Sequence, residues 1–114
     1  MAFYDIGVST EGNIKKVVRG TENWSTSGTT KVTLGFRPSY VMYYVIKNTG
    51  AVSETIIWDS KYPNVQRRSY ANTMENAMPS TDAYCIASID SDGFTVNKSN
   101  GVGYANTLEY IVIR

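Results

Sequence analysis

The segment that most constrains the fold is residues 34–46, where a glycine–aromatic–proline corner leads directly into an unbroken apolar run. Gly35, Phe36 and Pro38 form the corner, because glycine and proline both interrupt regular structure. Residues 40–47 then read as one strand in which both alternating faces are apolar. A strand of this kind is usually covered on both sides. We therefore expect it to be central in its sheet or covered by a partner subunit.

The composition indicates a β-rich domain with a weakly charged surface. The chain has 114 residues, enough for one domain, residues 1–114, with a single core. Hydrophobic residues make up 42% and charged residues 18%, which favours a sandwich over a helical bundle with charged outer faces. The formal net charge is +1. We therefore expect neither nucleic acid nor a membrane as a partner.

Short runs of β-branched and aromatic residues recur along the chain, separated by Gly, Asn, Ser, Thr or Asp. In one of them Thr30, Val32 and Leu34 alternate with polar residues and should face inward. Residues 74–78 could form one helical turn. The sequence predicts an all-β fold, an antiparallel, jelly-roll-like β-sandwich of about eight strands with little or no helix. The runs that predict its strands are residues 14–19, 29–34, 40–47, 55–59, 65–70, 84–89 and 108–113.

A second Gly-Phe step occurs in residues 89–94, which read as a tight hairpin because Asp and Ser suit the early turn positions. We expect Gly93 to take the positive φ that closes the turn. Phe94 should return its ring to the core.

The apolar runs at residues 40–46 and 108–113 predict assembly, because a domain of this size has one interior and each run is apolar on both faces. We expect Tyr43 with Val45, or Tyr110 with Val112, to lie at a contact between identical subunits in a closed dimer or trimer. The alternative is a monomer in which the N-terminal third covers both faces.

An ordered set of structural motifs resembles a known module. The motifs are residues 20–21 (GT), residues 32–41 (VTLGFRPSYV), Ile89 with residues 92–96 (DGFTV), and residues 110–113 (YIVI). Together they resemble the small β-sandwich module of bacteriophage and prophage virion proteins, which ends tail-fibre-like and baseplate-associated chains. The resemblance covers most of the chain from about Val18 onward and supplies no catalytic or binding residue.

This resemblance implies a non-enzymatic structural protein of a phage tail or another part of the virion. Its expected partners are other virion proteins or identical subunits, and bacterial cell-surface polysaccharide. The N-terminus lacks the basic and apolar regions of a signal peptide, so we expect synthesis in the bacterial cytoplasm. For a phage-derived chain, the final location is the virion.

Catalytic chemistry has few candidate residues. The chain has no histidine, which removes the commonest general base and metal ligand. Cys85 is the single cysteine, and we expect a buried small hydrophobe there instead of a reactive thiol. The nearest carboxylate pairs are Glu54 with Asp59 and Asp90 with Asp92, and the second pair suits a turn better than a calcium loop. We expect no enzyme activity, no metal and no cofactor.

Aromatic residues are the better functional lead, because sugars stack on Trp and Tyr while polar side chains bind their hydroxyls. The candidate ligand-binding residues are Trp24, Trp58, Tyr62 and Arg67. Trp24 and Tyr62 lie in polar segments and are expected to be at least partly exposed. The alternative is that Trp58 packs in the core and Trp24 covers an open end of the sandwich. The second functional hypothesis is therefore a free-standing carbohydrate-binding module.

Overall fold

The computed structural model describes residues 16–24, 28–97 and 105–114. These residues form nine strands and no helix, so the predicted all-β sandwich is confirmed. The strands are β1 (Val17–Asn23), β2 (Thr29–Thr33), β3 (Tyr40–Lys47), β4 (Val52–Asp59), β5 (Gln66–Tyr70), β6 (Thr73–Glu75), β7 (Ile86–Asp90), β8 (Gly93–Asn97) and β9 (Ala105–Ile113). Among the described residues there is no helix of the length and apolarity that crossing a bilayer requires.

The strands form two antiparallel sheets. The large sheet has the order β1-β9-β3-β4-β5-β6, and the small sheet has the order β2-β8-β7. The C-terminal strand β9 lies between β1 and β3, so its backbone is paired on both sides. This position protects an apolar terminal strand from edge-to-edge aggregation.

The core lies between the inner faces of the two sheets. On β3 the residues Val41, Tyr43 and Val45 are fully buried, and the ring of Tyr43 stacks 5.9 Å from that of Phe94. Val112 is also fully buried, and the partly buried Tyr110 packs against the core. The prediction that Tyr43 and Val45, or Tyr110 and Val112, lie at a subunit contact is therefore wrong. Both faces of these strands are apolar, so alternation alone does not identify the inward one.

The hairpin between β7 and β8 differs from its prediction in one respect. Ser91 and Asp92 form the turn, and Phe94 is fully buried as expected. Gly93 does not have positive φ. A Cβ at Gly93 would instead collide with the carbonyl oxygen of Val32, so glycine is required by the close approach of β2.

A second tight hairpin joins β5 to β6. A helical turn was predicted across residues 74–78, which begin within β6. Ala71 and Asn72 form its two-residue loop, with φ of 50° and 67°. Two successive residues with positive φ are typical of a type I′ turn, which matches the twist of the flanking strands. The helical-turn prediction is wrong because residues 73–75 pair with β5.

The two Gly-Phe segments of the sequence meet in space. The Asp92 carbonyl accepts hydrogen bonds from the backbone N–H groups of Leu34 and Gly35, at 2.7 and 3.0 Å. Gly35 has φ of 83°, as its place in the corner requires. Phe36 and Phe94 are both buried. The corner before β3 and the hairpin before β8 are thus one structural unit.

Candidate functional site

A cleft of about 290 Å³ lies between the start of β5 and the outer edge of β7. We name it the Trp58 cleft. None of the described residues that line it is charged, so it suits a small neutral ligand better than an ion. The lining consists of Trp58, Pro63, Asn64, Val65, Gln66, Met78, Pro79, Ser80, Ile86, Ala87, Ser88 and Ile89.

Trp58 forms a wall of this cleft and is not a stacking platform. It lies on the inner face of β4 and is only 6% exposed. Its indole Nε1 donates a hydrogen bond to the Pro63 carbonyl at 3.1 Å. The ring is therefore fixed and mostly covered, as the core alternative predicted.

Gln66 lines the cleft and joins the two sheets. Its side-chain Nε2 donates to the Ile86 carbonyl at 2.9 Å, and the Ile86 N–H donates to its Oε1 at 2.7 Å. The amide thus acts like a neighbouring strand at the outer edge of β7. Arg37 Nη1 donates to the Ile89 carbonyl farther along the same strand, at 3.1 Å. These two side chains occupy edge groups that would otherwise be open to another chain.

The sequence signal for Gln66 is slight. Side chains alternate along residues 65–70, so Gln66 points inward if Arg67 points outward. A lone amide at an inward position needs a buried hydrogen-bond partner. Asn64, Ser80 and Ser88 supply the other polar side chains of the cleft, and nothing in their sequence context distinguishes them from ordinary loop and strand residues.

The four predicted binding residues do not form one site. Trp24 is buried, contrary to the expected exposure, with its ring 5.2 Å from that of Tyr84. Tyr62 is 59% exposed, as expected, but does not line the Trp58 cleft. Arg67 is exposed on the outer face of the large sheet. Only Trp58 contributes to the cleft.

Tyr62 is held in a tight turn after β4. The Lys61 N–H donates to the Asp59 side chain and the Tyr62 N–H to the Asp59 carbonyl, each at 2.9 Å. The Lys61 ammonium lies 5.8 Å from the Tyr62 ring centroid, within cation–π range. Tyr62 therefore presents an ordered aromatic surface to solvent.

A polar cluster that is buried at Glu54 and partly exposed at Glu75 and Asp82 lies on the inner face of β5, around Arg68. Its guanidinium contacts Glu75 at 2.8 Å, Asp82 at 3.5 Å and Glu54 at 3.7 Å. Glu54 is only 6% exposed, and its Oε1 has no hydrogen-bond partner among the described residues. Burial raises the pKa of Glu54, and the Arg68 charge opposes this shift only in part. The hydrogen bond from Arg68 lowers the pKa of Glu75.

Cys85 lies near the Arg68 cluster but is a poor nucleophile. It is fully buried, and burial raises the pKa of its thiol to about 12. The thiolate is therefore almost absent at neutral pH. The predicted role as a buried small hydrophobe is confirmed.

The carboxylate pairs do not assemble a catalytic site. Glu54 faces the core, whereas Asp59 lies at an alternate position on the opposite face of β4. Asp90 and Asp92 both contact the Lys31 ammonium, at 3.1 and 2.7 Å. Within residues 16–24, 28–97 and 105–114, no group of three or more His, Cys, Asp and Glu side chains could hold a metal ion.

The chain was compared with protein-family models, curated proteins and solved structures, and none of them matches.

Proposed function

We propose that this chain is a non-enzymatic structural protein of a phage or prophage virion, in the tail or another part of the particle, that contacts bacterial surface glycan. The junction between the two Gly-Phe segments carries the proposal. These segments are the most distinctive motifs of the resemblance to virion modules, and they are joined through the Asp92 carbonyl. The two motifs therefore serve one structural purpose, as the segments of a single module should.

The chemistry of the described residues supports a non-enzymatic role. The chain has no histidine, the Cys85 thiol is buried with a raised pKa, and Glu54 and Asp59 lie on opposite faces of β4. General-base and nucleophilic catalysis both need such groups side by side.

Particle composition tests the structural role. Particles released from the bacterium that carries the gene are purified on a density gradient and probed with an antibody against this chain. A virion protein copurifies with the particles at constant stoichiometry. Its presence in the lysate but absence from pure particles would contradict the proposal.

A free-standing carbohydrate-binding module is the second candidate. It is favoured by the exposed ring of Tyr62 near a cleft without charged lining, since neutral sugars bind through aromatic faces and uncharged polar groups. A glycan array probed with variants of the chain shows whether a sugar binds to the Tyr62 ring or in the Trp58 cleft. Tyr62→Ala should abolish binding that uses the ring, whereas Asn64→Ala should abolish binding that uses the cleft. Tyr70→Ala, another exposed tyrosine, is the matched control. Glycan binding without particle association would favour this candidate.

A further inference from the structure

The outward face of the large sheet carries a continuous apolar surface. On β3, alternation leaves Tyr40, Met42 and Tyr44 outward and half-buried while their neighbours are fully buried. The register places Met42 between Ile57 of β4 and Ile111 of β9. We name this surface the outer stripe. It consists of Tyr40, Met42, Tyr44, Ile46, Ile57, Ile111 and Ile113.

The outer stripe does not belong to the core. The partly buried residues that pack against the core are Val18, Leu34, Met78, Ala83, Ile89 and Tyr110, and none of them is in the stripe. In the part of the chain that the structure describes, the small sheet covers the other face of the large sheet. Contiguous apolar surface of this kind marks an interaction site.

The size of this face suits a second copy. The strands β1, β9, β3, β4 and β5 are neighbours in the large sheet, and five strand widths of about 4.8 Å make this part of the sheet about 24 Å wide. The length of β3, 8 residues, adds about 26 Å along the strands. Two such faces bury roughly 1,200 Å² in total, which is the lower limit for a specific interface.

The charges around the outer stripe also suit self-association. Arg19 and Arg67 lie at the two ends of the row of cross-strand neighbours that has Met42 at its centre. Glu109 is the neighbour of Tyr44, and Asp59 is the neighbour of Tyr40. Among the residues that the structure describes, this face thus carries two positive and two negative side chains, with no excess of either sign. A partner of strong opposite charge is not required, and closed two-fold symmetry brings the face onto its own copy.

We propose that the outer stripe is the interface of a homodimer, in which two copies pack large sheet against large sheet. This inference deepens the proposed structural role, on which it rests, by naming the partner of the assembly surface. Packing of two sheets face to face buries the alternate side chains of both, as in the interior of a sandwich.

Sedimentation velocity from low to high micromolar concentration tests the interface in the intact chain. The wild type should show a monomer–dimer equilibrium. Met42→Glu places a charge at the centre of the stripe in both copies and should weaken the dimer by about 100-fold or more. Val65→Glu makes a similar apolar-to-charged change at a residue that is 39% exposed and lines the Trp58 cleft, and it should leave the dimer unchanged. Circular dichroism checks that each variant is folded.

A wild-type chain that stays monomeric at high micromolar concentration would overturn the interface, as would a dimer that Val65→Glu disrupts and Met42→Glu does not. A monomer that is nevertheless present in purified particles would remove the interface and leave the proposed virion role intact. Absence from particles together with a dimer sensitive to Met42→Glu would remove the virion role and leave the interface.

Discussion

Gly93→Ala should destabilise the chain far more than Gly20→Ala, although both changes add one methyl group to a strand. At Gly93 the new Cβ would collide with the Val32 carbonyl oxygen and lie 3.2 Å from the Thr33 Cα. These obstacles are backbone atoms of the paired strand β2, so they cannot rotate away. The two strands must separate by roughly 1.5 Å to restore a normal contact of about 3.5 Å.

The cost follows from the hydrogen bonds at that end of the small sheet. Separation weakens the pairing of Gly93 with Thr33 and the two hydrogen bonds that the Asp92 carbonyl accepts. At about 1 kcal/mol for each of roughly three bonds, Gly93→Ala should lower the free energy of unfolding by about 2–4 kcal/mol.

At Gly20 the obstacle is the tip of a side chain. The new Cβ would lie 2.5 Å from Oη of Tyr110, whose ring covers Gly20 and packs edge-on against Phe94, with centroids 6.0 Å apart. The ring can turn aside, and alanine also gains about 0.5–1 kcal/mol over glycine within a strand. Gly20→Ala should therefore cost about 1 kcal/mol or less.

Urea denaturation followed by tryptophan fluorescence measures both variants, since Trp24 and Trp58 are buried in the native chain. Equal losses of unfolding free energy for the two variants, or a loss below about 1 kcal/mol for Gly93→Ala, would refute the close pairing of β2 with β8 at Gly93.

The remaining predictions concern strain, buried charge and the thiol. Ala71→Gly should raise the free energy of unfolding by about 0.5–1 kcal/mol, because alanine is strained at φ of 50°, whereas Asn72→Gly should change it little. Urea titration measures both. Because the pKa of Glu54 is raised, its protonated form stabilises the folded chain at low pH, and this stability is lost as pH rises through the raised pKa. Glutamine stays neutral at every pH. Glu54→Gln should therefore stabilise the chain at neutral pH and remove this loss of stability. The lowered pKa of Glu75 gives the opposite sign, with stability lost as pH falls, and denaturation across a pH series separates the two. Cys85 should react with a thiol reagent only after unfolding, and rapid labelling of the native chain would contradict its burial.

The strands were predictable where local pattern alone defines them. Residues 40–47 match β3 at both ends, and alternation correctly placed Thr30 and Val32 of β2 inward. The strand predicted at residues 14–19 is observed as Val17–Asn23, and residues 14–15 lie outside the described residues. Strand ends depend on pairing with distant residues, which local pattern does not contain.

Features that depend on tertiary contacts were not predictable. Gly93 was expected to serve a turn, but the approach of β2 is what excludes a side chain. The hairpin at Ala71 has no glycine, so the usual signal of positive φ is missing. The inward face of β3 depends on which side the small sheet covers. The cleft was missed because Gln66 and Ser88 come together only when the two sheets pack.

Cysteine cross-linking tests most directly whether the outer stripe joins two copies. Cys85 is buried, so an added surface cysteine is the reactive thiol of the described chain. Met42→Cys would place a thiol in the stripe, and Thr33→Cys would place one on an exposed position of β2 in the small sheet. Facing sheets lie about 10 Å apart, within reach of a short bis-maleimide. The interface predicts a covalent dimer with Met42→Cys and little with Thr33→Cys. Equal yields from the two variants, or no dimer from Met42→Cys, would contradict it.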